Sequence, residues 1–420
     1  MSYPFSGILV RFLSKNHDDS SASEIQVNAS ERTDEKRALS KAEEKAKFLA
    51  TILPDELHIN IWEIGNNPVS PFIDVGVIVG NRANTSHVVV DLPWPVEAKD
   101  VFDLGSRLNG EKSVAAIFNE VVHYDGFAEG NYANISFRKN DKDVKPFSLL
   151  RLNSQDFDVR QHYLSDSTIA TSRLTITIPP QLPDVDPDNV RKSAYIRFRI
   201  RRVPVKVYTS VFERKDKSLI SSTVETRIVD FRINVRRGIP EGLLSSDHNL
   251  RFPEFDKIHC FLTTERSEEC VSQSQSYAGY RSLMDEDVWN EYVRVDNSEG
   301  ISSANSVRNY LGYQWTVSAK KSTDGSIKKV KDLIVLARFS KVKSDQFSNL
   351  RFLLLVVFLG ATGSGLWDVA KVIHESGNVG GRLIFFVVFG ITLFAVINFI
   401  RKKSAGLWQK FTSYVKKVFK

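Results

Sequence analysis

Three features of the chain predict its fold class. Apolar and polar residues alternate through much of residues 57–339, two uncharged runs stand at Phe352–Trp367 and Leu383–Ile400, and a basic segment without acidic residues follows Arg401. Alternation with a period of two marks half-buried strands, and long uncharged apolar runs mark helices in lipid. Together they predict an α+β chain with a mostly antiparallel β cytosolic region in two modules. A C-terminal two-helix transmembrane hairpin and an amphipathic basic tail helix follow. Composition sets the boundaries: a flexible segment at 1–32, an α+β module at 33–165 and a β-rich module at 166–343. The hairpin takes 344–403, with spans at about 352–370 and 383–400, and the tail helix takes 404–420.

The elements follow in order. Lys15–Arg32 is dominated by Ser, Asp, Asn and Glu and has too little apolar surface to fold. Thr33–Leu53 turns to Ala, Glu, Lys and Leu and stops at Pro54, which predicts a charged helix. Strands are predicted at Leu57–Ile64, Ile73–Val79 and His87–Leu92, the first alternating Leu57, Ile59 and Ile61 inward. Val96–Asn109 fits neither period, Lys112–Val122 reads as a helix, and Asn134–Arg138 and Phe147–Leu152 read as short strands. The second half is more purely β: Arg173–Ile178, Ser193–Val203, Val205–Phe212, Leu219–Thr226 and Ile228–Arg236. A helix around Leu283–Val293 interrupts the series before strands at Tyr310–Ser318 and Leu333–Phe339. One-sided alternation of this kind predicts an antiparallel sheet with an uncovered polar face.

The hairpin rests on length and charge. A helix rises about 1.5 Å per residue and a bilayer core is about 30 Å thick, so a span takes about 20 residues. Leu383–Ile400 holds 18 residues without a charge, whereas Phe352–Trp367 holds 16 and extends to Ala370 only by taking in Asp368. Gly360, Gly363 and Ser364 would let helices approach closely in lipid. Four basic residues (Arg338, Lys341, Lys343, Arg351) precede the first span, two (Lys371, Arg382) lie between the spans, and seven follow. That bias predicts a multi-pass protein of the plasma (inner) membrane with both termini cytoplasmic. The Gly7–Leu13 apolar stretch, broken by Arg11, is too short to read as a secretory leader. In the tail, Trp408 and Phe411 fall on one helical face and Lys410, Lys416, Lys417 and Lys420 on the other. Such a helix would lie on anionic lipid headgroups.

The net charge of +7 comes from 57 Lys and Arg against 50 Asp and Glu. The tail from Arg401 holds seven of the basic residues and no acid, so residues 1–400 carry 50 of each sign. A neutral body does not indicate a nucleic-acid partner. Only Cys260 and Cys270 are present, without a CxxC pair, which reads as two free thiols in a reducing compartment.

Motifs with real specificity are missing: no GxxxxGK[ST] loop, no GxSxG elbow, no HExxH and no GxGxxG occurs. The eight histidines are scattered, so neither a metal nor a cofactor is expected. Asp184, Asp186 and Asp188 begin like a calcium loop, but Asn189 stands where that loop needs Gly and Tyr195 where it needs Glu. Asp188, Glu213 and Lys215 make a degenerate nuclease-like string. His259 and Cys260 are neighbours along a strand and point to opposite faces, so they do not form a dyad. Sequons begin at Asn28, Asn84 and Asn134, and short sequons of this kind arise by chance.

The arginine faces stand out. Arg197, Arg199 and Arg201 share one side of a strand, and Arg232 and Arg236 share one side of another. If the two strands adjoin, five guanidiniums could grip phosphate or carboxylate; the competing reading is a solvated face neutralised by nearby carboxylates. The chain therefore reads as a non-enzymatic, membrane-anchored protein whose β-rich module senses or docks a cytosolic protein or small anionic ligand. It would relay that event to a self-associating or membrane-perturbing hairpin. Its partners would be the bilayer, anionic headgroups and a second copy of the chain. The alternatives are a passive inner-leaflet scaffold and a membrane-tethered nuclease or hydrolase.

Overall fold

The computed structural model describes residues 3–15, 53–64, 71–127, 131–139, 142–163, 170–179, 193–214, 223–244, 249–294, 307–322 and 326–343, with single positions beyond. In chain order the first strands are β1 (Leu9–Ser14), β2 (Glu56–Trp62), β3 (Phe72–Val79), β4 (Thr85–Leu92), β5 (Val101–Asp103), β6 (Val122–Phe127) and β7 (Tyr132–Lys139). There follow β8 (Lys142–Leu150), β9 (Phe157–His162), β10 (Thr171–Thr177), β11 (Ala194–Ile200), β12 (Thr209–Arg214), β13 (Thr223–Ile233) and β14 (Leu250–Arg251). The last are β15 (Lys257–Glu265), β16 (Glu269–Gln273), β17 (Tyr277–Ser282), β18 (Tyr310–Ser318), β19 (Lys320–Lys321), β20 (Ile327–Lys328) and β21 (Leu333–Lys343). Helices α1 (Glu111–Phe118) and α2 (Glu286–Val293) are eight residues each, and Glu241–Leu244 makes a single turn.

A ten-stranded sheet runs β17-β18-β15-β2-β3-β11-β8-β7-β6, with β5 added beside β11. A five-stranded sheet runs β14-β1-β4-β10-β9, and a four-stranded one β12-β13-β21-β16. The large sheet is mixed, because β15 pairs β2 in parallel and β11 pairs β8 in parallel. Strands from 33–165 and 166–343 interleave in it, and residues 1–215 with 224–343 form one compact unit.

The alternation decides which side of each strand is buried in apolar company. Leu57, Ile59 and Ile61 of β2, Val75 and Val77 of β3, Ile196, Phe198 and Ile200 of β11, and Ile258, Cys260 and Leu262 of β15 share one core. Val88 and Val90 of β4, Leu174 and Ile176 of β10, and Phe231 of β13 complete it from the other sheets. At about 25 cal/mol per Å² of apolar area, this layer is the main favourable term of the fold. The opposite face of the large sheet carries a second core around Trp62, Tyr195, Trp289 and Tyr292, which includes residues of α1 and α2. Trp289, Tyr292 and Val293 lie at positions i, i+3 and i+4 of α2, the spacing of one helical face, and all three are buried.

Two expectations are corrected. The described residues are mostly β-sheet rather than α+β with a membrane hairpin, and no helix among them is long and apolar enough to cross a membrane. That finding overturns the two-pass hairpin, the transmembrane assignment and the multi-pass plasma-membrane placement. The first run contains Gly360, Gly363 and Gly365 and is followed by Asp368. Its described positions, among them Leu353, Val356, Gly360, Gly363, Ser364 and Trp367, are helical and exposed. The second run, apart from Gly390, lies outside the described residues, as do the tail from Arg401 and the helix expected at Thr33–Leu53.

Candidate anion-binding site

The polar side of the large sheet is built by register. Parallel pairing sets His259 of β15 beside His58 of β2, antiparallel pairing sets His58 beside Gly76 of β3, and Gly76 lies opposite Arg197 of β11. On the outer side Thr316 of β18 pairs His259, so one cross-strand row reads Thr316, His259, His58, Gly76, Arg197. The next row contains Phe261, Asn60, Asp74 and Arg199. Gly76 is required where it stands: a Cβ there would overlap the Tyr195 hydroxyl and press on the Arg197 guanidinium.

From these rows His58, Asn60, Arg197, His259 and Phe261 line a cavity of about 500 Å³ with Phe118 of α1, Arg281 of β17 and Gln314 of β18. Five cationic side chains line it (Arg138, Lys139, Arg197, Lys257 and Arg281) against two carboxylates, Glu56 and Glu120. An excess of one sign in a walled cleft concentrates counter-ions there.

Arg197 is wholly buried. Its Nε donates to the Tyr292 hydroxyl at 2.5 Å and its Nη1 to the Tyr195 hydroxyl at 2.9 Å, while Nη2 has no partner among the described residues. Tyr292 in turn donates to Asp74 at 2.9 Å, so the guanidinium is oriented through a tyrosine rather than paired with a carboxylate. Burial works against its charge, and Tyr195, Tyr292 and Asp74 outweigh that effect to raise its pKa. Arg281 sits 4.7 Å from the Phe261 ring centre and 5.6 Å from that of Trp289. Its terminal nitrogens reach Asn119 Oδ1 at 3.4 Å and the Ala116 carbonyl at 3.5 Å, the long end of hydrogen bonding, and its buried Nε has no partner. Burial and then repulsion from Arg197 lower its pKa. A buried donor without an acceptor costs about 1–3 kcal/mol, more when charged. Both side chains line the cavity, and each carries such a donor.

The imidazoles are neutral partners. Gln314 Nε2 donates to His259 Nδ1 at 3.2 Å, and the Thr316 hydroxyl lies 2.8 Å from the same nitrogen. His259 Nδ1 is therefore the acceptor and the ring proton sits on Nε2. Burial, with His58, Lys257 and Arg281 nearby, holds the His259 pKa down to about 2. His58 packs 5.4 Å away, centroid to centroid, and its pKa is lowered chiefly by burial, with Glu56 at 3.5 Å opposing.

Of the arginines singled out in the sequence, only Arg197 lines this cavity. Arg199 is consumed by Asp74 in a two-point contact of 2.6 and 3.0 Å, and its Nη1 caps the α2 carbonyl of Val293 at 2.8 Å. Trp62 Nε1 fills a further position on Asp74 at 2.8 Å. Arg201 lies 4.4 Å from the Phe102 ring centre. Arg232 pairs with Asp230 at 2.8 Å on β13, and Arg236 lies 4.4 Å from the Phe252 ring centre. Strands β11 and β13 belong to different sheets, so the five guanidiniums do not converge.

Gly360, Gly363 and Ser364 are exposed, and no atom lies within 4 Å of a Cβ built on either glycine. Lys410, Lys416, Lys417, Lys420, Trp408 and Phe411 lie outside the described residues, as do Asp184, Asp186, Asp188 and Lys215. Cys260 is buried in the apolar core on the face opposite His259, and burial raises its pKa. Among the described residues no cluster of His, Cys, Asp and Glu could hold a metal.

Sequence reasoning missed Arg281, His58 and Lys257. Its usable signal was Glu56, His58 and Asn60 interleaved with the apolar positions of β2, a polar face that lines the cavity. No known protein family matches the chain, and no curated protein does.

Proposed function

We propose that the β-rich unit is a binding module for a small anionic ligand, which it holds in the cavity between Arg197, Arg281 and the His58–His259 pair. The observation that carries this reading is a pair of guanidiniums sharing one cavity, each with a buried N–H that has no acceptor. Asp74, the carboxylate nearest in the network, is occupied by Arg199, Trp62 and Tyr292. An entering oxyanion would supply the missing acceptors and relieve the repulsion between the two cations.

Binding is better supported than catalysis by the state of the titratable groups. General acid–base chemistry near neutral pH needs a pKa close to the working pH, and His259 is held at about 2. The unit thus suits a sensing or docking role in which the ligand completes a structure.

Thermal unfolding at constant ionic strength tests the proposal, with sodium phosphate, sulfate or acetate replacing chloride. A site occupied at a hundred times its dissociation constant stabilises the fold by about 2.7 kcal/mol. The expected result is a higher Tm with at least one of these anions, lost in Arg281→Gln. Equal Tm values in all four salts, or a shift that Arg281→Gln retains, would contradict it.

A further inference from the structure

We infer that the anion is doubly charged: the cavity takes a dianionic phosphoryl group, either inorganic phosphate or a phosphate monoester carrying a flat ring. The inference rests on the binding-module reading and sharpens it. Charge is the first argument. Arg197, wholly buried, and Arg281, half-buried, bring two guanidiniums to one cavity whose lining carries five cationic side chains against two carboxylates, an excess that a dianion offsets more fully than a monoanion. An uncompensated buried charge is strongly unfavourable, so the site discriminates by valence.

Donor count is the second argument. Arg197 Nη2, Arg281 Nε and Nε2 of His259 give three donor nitrogens, two on cations and one on a neutral ring. A phosphoryl group offers three terminal oxygens, one more than a carboxylate. The buried Arg197 is also braced at Nε and Nη1 by two tyrosines, so its third nitrogen, Nη2, is fixed in place before any ligand enters. Preorganisation of this kind removes part of the ordering cost of binding.

The shape of the walls is the third. Phe118, Phe261 and the two imidazoles present ring surfaces in the same cavity, whose volume of about 500 Å³ exceeds what a lone phosphate fills. A planar substituent on the phosphoryl group would pack there at ring separations of roughly 4.5–7 Å.

Isothermal titration of the full chain at pH 7.5 and constant ionic strength tests this, with phenyl phosphate, inorganic phosphate, benzoate and benzenesulfonate as probes. Phenyl phosphate is expected to bind at least tenfold more tightly than benzoate or benzenesulfonate, which share its ring but carry one charge. Inorganic phosphate is expected to bind more weakly than phenyl phosphate and still above the monoanions. Arg281→Gln should remove at least tenfold of the phenyl phosphate affinity while leaving benzoate nearly unchanged. His259→Phe, which keeps a ring and loses the donor, should weaken phosphoryl binding with an unaltered circular dichroism spectrum. Benzoate binding as tightly as phenyl phosphate would overturn the dianion inference and leave the anion-binding module standing. Binding of none of the four probes would overturn both.

Discussion

At the scale of single residues, the site is defined by groups whose ordinary partners are missing. Arg281 is the cleanest probe, because it borders the cavity without belonging to the Asp74 network, and its loss should cost affinity rather than folding. The histidines predict a pH dependence. Their pKa values in the folded chain lie below the ordinary 6.5, so at lower pH the unfolded chain binds more protons than the folded one. Stability from this source is complete above about pH 6.5 and is lost as pH falls below it, because protonation then favours the unfolded chain. Urea unfolding of wild type and His259→Gln at pH 7.5 and pH 5 should show a smaller acid-side loss in the variant; identical losses would contradict it. His259 was visible in the sequence only as the neighbour of Cys260, and the alternation correctly sets the two on opposite faces.

At the scale of elements, the β2-β3-β11 ladder does most of the positioning. Gly76 leaves room for the Tyr195 hydroxyl and Arg197, so Gly76→Ala should cost about 1–3 kcal/mol by overpacking and abolish any phosphate-induced rise in Tm. Asp74 holds Arg199, Trp62 and Tyr292 together beneath α2. Asp74→Asn leaves the buried Arg199 without its counter-charge and should cost about 3–5 kcal/mol in urea unfolding. Much of this framework was legible in the sequence. Leu57–Ile64, Ile73–Val79, Ser193–Val203 and Tyr310–Ser318 correspond to β2, β3, β11 and β18, since a buried apolar side enforces period two. The breaks were less so: β13 (Thr223–Ile233) runs through the gap expected between Leu219–Thr226 and Ile228–Arg236, and β6, β9, β16 and β17 carry too little apolar alternation to stand out.

At the scale of the whole molecule, charge and hydropathy misdirected the reading. The arginine stripe of β11 predicts either a solvated face or a five-guanidinium patch. Arg197 and Arg199 are instead buried, Arg199 neutralised and Arg197 lining a cavity, while the half-buried Arg201 lies against an aromatic ring. The cavity was illegible because its lining spans Leu53 to Gln314 and depends on the parallel pairing of β15 with β2, which no local pattern encodes. The apolar runs near the C-terminus carried the membrane prediction on length and charge, and no described helix reaches the length and hydropathy of a span. The proposed anion-binding function therefore rests on the cavity. Anomalous diffraction from crystals soaked in tungstate, a heavy stand-in for phosphate, tests it most directly. A tungsten peak within hydrogen-bond reach of Arg197 Nη2 and Arg281 Nε is the predicted result; an empty cavity with peaks only on exposed lysines would contradict it.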